Sequence, residues 1–163
     1  MNINLKQIAT INSPFSDLKN MPVQPCGAKE CYATIEFKDE YVEGLADLDG
    51  FSHIYLIYYF HKISEPELSV IPFNDKTSTP RGVFSTRTPK HPNSIGLSLV
   101  ELVSVEGNIV TIKGIDILDK TPLLDIKPYI ENFDNIFGEV KSGWMNSSSD
   151  EVSNVRSDER FID

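Results

Sequence analysis

The chain has few of the residues from which metal centres and disulfide frameworks are built. Its 163 residues include two cysteines, Cys26 and Cys31, and three histidines, His53, His61 and His91. One C-x4-C pair is too small for the ligand set of a structural zinc site, and the histidines lack the spacing of a metal-binding pair. We therefore predict no metal, and two reduced thiols near a loop rather than a disulfide.

The sequence also lacks a long apolar run, a secretory signal and an excess of positive charge. Its longest apolar stretch, residues 54–60, has the length of a strand, whereas a membrane-spanning helix needs about 20 apolar residues. The first residues do not combine a basic start, an apolar stretch and a cleavage site. The net charge of −9 argues against a nucleic-acid coat protein but allows a local basic patch. We expect a cytoplasmic protein without membrane contact.

Periodicity and turn residues predict a mainly β domain. Apolar segments, some alternating and some continuous, indicate strands at 7–11, 28–37, 53–61, 97–105, 109–114 and 121–126, with turn-forming residues between them. The segment 53–61 is apolar without alternation, which favours a central strand buried on both faces. Strands at such regular spacing favour a compact β-barrel with short helical segments.

Three segments between these strands are less regular. Residues 41–48 fit a helical turn or a bent strand equally well. Residues 62–80 are polar and interrupted by prolines, which predicts a long loop with a short edge strand near 68–71. No helix of ordinary length is convincing, and residues 133–140 are the best candidate.

The last part of the chain differs in composition from the rest. After Trp144 the sequence is polar and has no apolar periodicity. We therefore predict one domain over residues 1–145, a length typical of a single domain, followed by a flexible polar tail over 146–163.

Residues 81–96 form the densest cluster of special residues. Arg81, Arg87, Lys90 and His91 lie there among prolines and glycines, in a chain that is otherwise acidic. Prolines fix a backbone, glycines allow close approach of a ligand, and arginine suits a carboxylate or a phosphate. From the residues alone, an anion-binding loop and a rigid surface turn with solvated charges are equally good interpretations.

A second cluster, residues 114–129, interleaves carboxylates with apolar residues. Asp116, Asp119 and Asp125 could bind ribose hydroxyls, neutralise a cationic ligand or accept a proton. Aspartates also cap turns routinely, and this interpretation is favoured for Asp116 and Asp119. His61 ends the strand at 53–61 and could act as a general base, although a packed histidine is the commoner case.

Both clusters resemble the signature motifs of one family, the TsaA-like or TrmO-like proteins. The first is RGVFSTRTPKHPNSIGLS at 81–98, and the second is DILDKTPLLDIKPY at 116–129. Shorter matches at 21–24, 44–45, 50–54 and 60–61 extend the resemblance over roughly residues 4–145. Three positions depart from the family pattern: His91 replaces an arginine, Ser94 a proline and Lys120 a glycine.

The resemblance implies a methyltransferase on a compact β-barrel (YaeB-like), dimeric, with the cofactor S-adenosylmethionine bound near the subunit contact. Its substrate would be N6 of N6-threonylcarbamoyladenosine, next to the anticodon of tRNA. The cofactor-binding positions carried over are Pro22, Val23, Gln24, His61, Lys62, Arg87, Leu97, Ile117, Leu118, Asp119 and Lys120. We predict that tRNA contacts a basic surface formed by Arg81, Lys90 and His91, with Arg87 beside them.

The identity of a general base is left open by the sequence. Losing the N6 proton would help methylation, and His61 and Asp119 are the candidates to accept it. Two alternatives also remain at this point. One is a module that binds S-adenosylmethionine or RNA without catalysis, and the other is a methyltransferase of the same fold acting on another small substrate.

Overall fold

Six antiparallel strands close into a barrel in the computed structural model, which describes residues 3–19, 21–23, 27–63, 65–73, 75, 77–145 and 148–158. The order around the barrel is β1-β2-β7-β6-β3-β8. These strands are β1 Ala9–Asn12, β2 Tyr32–Phe37, β3 His53–Tyr59, β6 Ile95–Glu106, β7 Ile109–Lys113 and β8 Thr121–Pro128. The mainly β barrel expected from the sequence is thus confirmed.

Alternation of side chains places the core inside the barrel. Along β3, Ile54, Leu56 and Tyr58 are buried, while Tyr55 and Ile57 between them are partly covered. β3 pairs with β6 on one edge and with β8 on the other, so it is central as expected. Only its inner face is fully buried, however, because a barrel has one interior and its other face points outward.

Long loops extend from one end of the barrel. Between β3 and β6, the two short strands β4 (Ser69–Val70) and β5 (Arg81–Gly82) pair as a separate small sheet. Ile63 and Val70 form a second apolar cluster there, which packs against Phe60 and Phe73. This cluster fixes part of the loop beside the barrel.

Two irregular segments differ from, or decide between, the sequence interpretations. Residues 41–48 form helical turns, since 3-10 helices span Asp39–Leu45 and Leu48–Gly50. Residues 133–140, the best candidate for a helix, do not form one of ordinary length: helix α1 covers only Glu131–Asp134. Gly138 has φ +110°, which is incompatible with a right-handed helix, and residues 131–140 are exposed with no buried face to stabilise one.

The C-terminal segment, residues 148–158, has structure where the sequence suggests a flexible tail. Helix α2, Ser149–Ser153, begins with a capping box formed by Ser148 and Glu151. Val152 is buried, and an isolated bridge joins Pro22 to Arg156. The capping pair could be recognised in the sequence. The contacts of this segment with Leu18, Met21 and Pro22 could not be predicted from it. The division of the chain at residue 145 stays a prediction.

Candidate active site

An open pocket lies at the end of the barrel where β3 ends and β8 begins. Its cavity volume is about 100 Å³, and the empty space rises to about 570 Å³ when the open solvent at its mouth is included. The wall is mainly apolar and consists of Leu18, Met21, Tyr58, Phe60, Ile63, Phe73, Pro89, Ile117 and Leu118. The polar lining residues are His61, Lys62, Asp116, Thr121, Ser157 and Asp158.

The loop between β7 and β8 is held in place by contacts with residues 12–15. The Asp119 amide donates to the carbonyl of Phe15 at 2.7 Å, and its Oδ1 accepts from the Ser13 amide at 3.0 Å. Lys120 has φ +61°, the conformation in which glycine is preferred, and its Nζ donates to Asn12 Oδ1 at 2.6 Å. These bonds direct the side chains of Asp119 and Lys120 to the β1 end, whereas Ile117 and Leu118 line the pocket.

Asp116 belongs to a chain of polar groups at the pocket wall. Ser98 Oγ donates to Asp116 Oδ1 at 3.0 Å, and the Tyr58 hydroxyl lies 3.2 Å from Ser98 Oγ. Burial raises the pKa of Asp116 to about 6, although the Ser98 hydrogen bond and the charge of Arg87 lower it in part. Burial also raises the pKa of Tyr58, so its hydroxyl is neutral at all ordinary pH values.

His61 is the second titratable group of the pocket with a shifted pKa. Burial, and then the charge of Lys62, lower the pKa of His61 below its usual value, so the ring is neutral at pH 7. The Thr121 hydroxyl donates to the Leu118 carbonyl at 2.7 Å and lies 3.4 Å from His61 Nδ1. Because that hydroxyl proton is already used, His61 Nδ1 is the donor at this contact, which leaves Nε2 as an acceptor.

The basic residues of the loop 81–94 are largely bonded to neighbours. Arg81 Nε pairs with Asp75 Oδ2 at 2.7 Å, and its guanidinium lies over the ring of Trp144. Lys90 is 3% exposed, with Nζ 3.6 Å from Glu67 Oε1. A buried ammonium cannot reach an RNA phosphate, so the prediction of Lys90 as an RNA contact is corrected. His91 Nε2 lies 3.2 Å from the Thr86 carbonyl.

Phe84 presents an aromatic ring on the same loop. It is 77% exposed, and its ring meets that of His91 edge-on, with centroids 5.8 Å apart. The short 3-10 helix Val83–Ser85 carries it, and buried Val83 anchors that turn. Trp144 Nε1 donates to the Ser85 carbonyl at 2.8 Å. The turn thus holds Phe84 outward at low conformational freedom.

Comparison with known proteins assigns the fold and both motifs to one family. The family model described as the tRNA-methyltransferase O N-terminal domain matches residues 10–135. The chain belongs to this family. The resemblance inferred from residues 81–98 and 116–129 is therefore confirmed.

Relatives of this TrmO-family chain include proteins named for binding S-adenosylmethionine and proteins named for methylating tRNA. A probable S-adenosyl-L-methionine-binding protein of Pyrococcus abyssi is 44% identical, covering 96% of this chain and 84% of its own length. A tRNA (adenine(37)-N6)-methyltransferase of Rattus norvegicus is 35% identical, covering 82% of this chain but 32% of its own length. The crystal structure of TrmO from Pseudomonas aeruginosa superimposes with a TM-score of 0.72 at 34% identity, over 88% of this chain and 62% of that one.

Some of the predicted cofactor residues meet at the pocket and others do not. His61, Lys62, Ile117 and Leu118 line it. Buried Pro22 and its neighbour Val23 follow the lining residue Met21, and Gln24 lies outside the described residues, as does Cys26. Arg87, Leu97, Asp119 and Lys120 are not among the lining residues. Leu97 is 54% exposed on the outer face of β6, and Arg87 is exposed near Asp116.

Sequence reasoning passed over the residue that joins the two motifs. Ser98 is the last residue of the first motif and Asp116 the first of the second, and the structure hydrogen-bonds them. It also missed the pocket residues supplied by the C-terminal segment, Ser157 and Asp158. A serine and an aspartate at two motif ends were the available signal for the first pair, and nothing in the composition marked the second.

The part of the chain that the structure describes contains no group of three or more His, Cys, Asp or Glu placed to hold a metal ion. Over the same residues, no helix is long and apolar enough to cross a membrane. The Cys31 thiol is free and half-buried.

Proposed function

We propose that this chain transfers a methyl group from S-adenosylmethionine to N6 of adenosine 37 in tRNA, in its N6-threonylcarbamoyl form. The observation that carries the proposal is the pocket at the barrel end, whose wall combines both signature motifs through Pro89 and Asp116. Family membership and the relatives named tRNA (adenine(37)-N6)-methyltransferase support the reaction and the nucleic acid. A cytoplasmic location accompanies this substrate.

The chemistry of the pocket fits S-adenosylmethionine. Phe60, Phe73 and Ile117 offer apolar surface for an adenine ring and methylene groups. Among the polar lining residues, the ammonium of Lys62 suits the carboxylate of the cofactor's amino-acid group. When bound, the cofactor supplies a methyl group on a positively charged sulfur, which is a strong electrophile.

The protein's main contribution is alignment of the two reactants. Holding two reactants in a favourable fixed geometry lowers the activation free energy of their reaction by up to about 7–11 kcal/mol. Neutral His61, oriented by Thr121, can hydrogen-bond the substrate from the pocket wall. Asp119 is less suited to accept a proton, because it is not among the residues that line the pocket.

The exposed face of the loop 81–94 is the proposed tRNA surface. Arg87 supplies an exposed charge there, and Arg81 and His91 border it from bonded positions. Phe84 adds a ring on which an unstacked base can rest, a frequent mode of single-stranded RNA recognition. Binding through this face is expected to weaken as salt rises.

A homodimer is part of the proposal. Tyr59, Ile95, Leu97 and Leu99 are exposed on the outer face of β3 and β6, where Tyr59 faces Ile95 across the strand pair. A continuous apolar patch of this kind is typical of an interaction site. Sedimentation equilibrium is expected to give a dimer for the wild type and a monomer for Leu97→Glu. A wild-type monomer at micromolar concentration would contradict the dimer.

The alternative is a module that binds S-adenosylmethionine without catalysis. The names of the archaeal relatives favour this binding function, since they describe binding proteins rather than enzymes. The chain also spans about three fifths of the solved TrmO chains and about a third of the mammalian methyltransferases.

Turnover separates the two functions. The protein is incubated with S-adenosylmethionine and tRNA that carries unmethylated N6-threonylcarbamoyladenosine, and the nucleosides are measured by mass spectrometry. We expect one added methyl group on that nucleoside, and none when the cofactor is omitted. Saturable cofactor binding by calorimetry without any methylated nucleoside would instead establish the binding module.

A further inference from the structure

A row of three polar side chains leads from the barrel interior to the pocket. Tyr58 and Ser98 are 5% and 4% exposed, and Asp116 is their neighbour at the pocket wall. Ser98 has one hydroxyl proton and donates it to Asp116 Oδ1, so its oxygen must accept from the Tyr58 hydroxyl. Both hydroxyl dipoles therefore point toward the Asp116 carboxylate.

The strand pair is shaped to allow this row. Gly96 lies directly opposite Tyr58 in the register of β3 and β6. A Cβ at position 96 would lie 2.2 Å from Cε2 of the Tyr58 ring, so a side chain there would displace the ring. The barrel core would be as well filled by Phe and Ala at positions 58 and 98, because buried hydroxyls add no apolar contact. The two hydroxyls therefore serve the hydrogen bonds that end at the buried Asp116 carboxylate rather than apolar packing.

We propose that Asp116 accepts the proton of the nitrogen that is methylated, and that Ser98 and Tyr58 position its carboxylate. This inference rests on the proposed function and names a catalytic residue for it. In the step, the N–C bond forms as the S–C bond breaks, and the sulfonium becomes a neutral thioether. The N–H proton passes to the carboxylate of Asp116, which also accepts hydrogen bonds from Ser98 and from its own backbone amide.

The surroundings of Asp116 suit this role. Burial raises its pKa to about 6, so the group is ionised at neutral pH but is a stronger base than an exposed aspartate. The titratable and charged groups around it are Tyr58 behind it, Arg87 on the adjacent loop, and His61, Lys62 and Asp158 on the pocket wall. Among these, Arg87 lowers the pKa of Asp116.

The test compares Asp116→Asn, Ser98→Ala and Tyr58→Phe with the wild type. Single-turnover methylation is measured from pH 5 to 8 at saturating S-adenosylmethionine, and cofactor Kd is measured separately by calorimetry. We expect Asp116→Asn to lower the rate at least about 100-fold, with Kd changed less than threefold. The wild-type rate is expected to rise with a midpoint near pH 6, and Ser98→Ala to move that midpoint upward because a bond to the carboxylate is lost.

Two further measurements separate positioning from packing. The Asp116 carboxyl carbon is assigned by its loss in Asp116→Asn and titrated by NMR without tRNA. Its midpoint is expected to rise in Ser98→Ala and, less, in Tyr58→Phe. Ser104→Ala removes a hydroxyl from the same strand that donates to Glu106 Oε1, so it serves as the matched control. It is expected to leave both midpoints unchanged.

Four results would overturn the inference. Asp116→Asn could keep its rate within threefold, or its Kd could weaken in proportion to its rate, which would make Asp116 a charge partner of the cofactor. An unchanged carboxyl midpoint in Ser98→Ala would dismiss the positioning role. If the wild type binds cofactor but methylates no tRNA, the proposed function fails and this inference with it, whereas loss only in Asp116→Asn supports both.

Discussion

The loops that carry the two signature motifs lie at the same end of the barrel, but their charged side chains have different partners. In the loop 81–94, Arg81 pairs with Asp75 and Lys90 is buried beside Glu67. In the loop 115–120, Asp119 fastens the loop to residue 13, whereas Asp116 faces the pocket. The charged side chains of the first loop thus mainly stabilise that loop. In the second loop, one carboxylate stabilises the fold and the other faces the pocket.

The largest expected effect is on the buried cation of the first loop. Lys90→Glu would place a buried carboxylate beside Glu67, and we expect it to lower the free energy of unfolding by about 3 kcal/mol or more. Urea denaturation measures this loss. Lys90→Met keeps the apolar stem and is expected to fold, with tRNA affinity and its salt dependence unchanged. A salt slope reduced by about one in Lys90→Met would show that Lys90 contacts a phosphate.

Asp119 provides the structural half of the second loop. Asp119→Ala removes the acceptor of the Ser13 amide, and we expect a loss of about 2 kcal/mol in the free energy of unfolding. Thermal and urea denaturation report it. Asp119→Asn retains an acceptor oxygen and is the matched variant, expected to lose less. Equal stability of Asp119→Ala and the wild type would remove this residue from the folding role.

Substitution of Asp116 is expected to raise the free energy of unfolding at neutral pH, whereas substitution of Asp119 lowers it. The folded-state pKa of Asp116, about 6, exceeds the ordinary 3.8, so between these values the folded state holds more protons than the unfolded state. Its contribution to stability therefore falls as pH rises from about 4 to about 6. Asp116→Asn is expected to be more stable than the wild type by about 1–2 kcal/mol at pH 7, because part of the shift's cost remains in burying an amide. That advantage should vanish near pH 4, and a constant advantage at both pH values would contradict this account.

The smallest effect on stability is expected for Phe84. It is so exposed that Phe84→Ala should change the free energy of unfolding by less than about 0.5 kcal/mol. Its tRNA affinity should fall about 5- to 10-fold if one base stacks on the ring. Phe133→Ala, which also removes an exposed ring but on α1, is the control and should bind tRNA normally. Equal affinities of the two variants would exclude Phe84 as a stacking platform.

Local sequence patterns were sufficient to predict the barrel but not to predict which polar groups pair with each other. Alternation along β2 and β7, together with the Gly107 turn before β7, reports burial and chain reversal, which are properties of a few neighbouring residues. The contacts of Asp116 with Ser98 and of Asp119 with Ser13 join residues 18 and 106 positions apart. Their existence depends on barrel closure and register, so the sequence could name the carboxylates without assigning their roles.

The family motifs predicted more residues of the site than composition and periodicity did. Like them, however, the motifs did not predict where each side chain points. They placed His61, Lys62, Ile117 and Leu118, all of which line the pocket. They also included Leu97, which is 54% exposed on the outer face of β6 and is not among the residues that line the pocket. A motif records which residues recur together, whereas the direction of each side chain follows from the alternation of the strand that bears it.

Part of the pocket wall exists only while the C-terminal segment, residues 148–158, is folded against the rest of the protein. Ser157 exchanges hydrogen bonds with the backbone of Met21 and donates to the carbonyl of Leu18, while α2 contributes one buried side chain, Val152. Residues 148–158 are joined to the rest of the fold by an isolated bridge and a short helix rather than a strand ladder, so they open at a smaller free energy than the closed barrel. Any ligand that touches Ser157 or Asp158 must then lower the population of the opened form, so occupancy of the pocket and protection of the segment's amides from hydrogen exchange are thermodynamically linked.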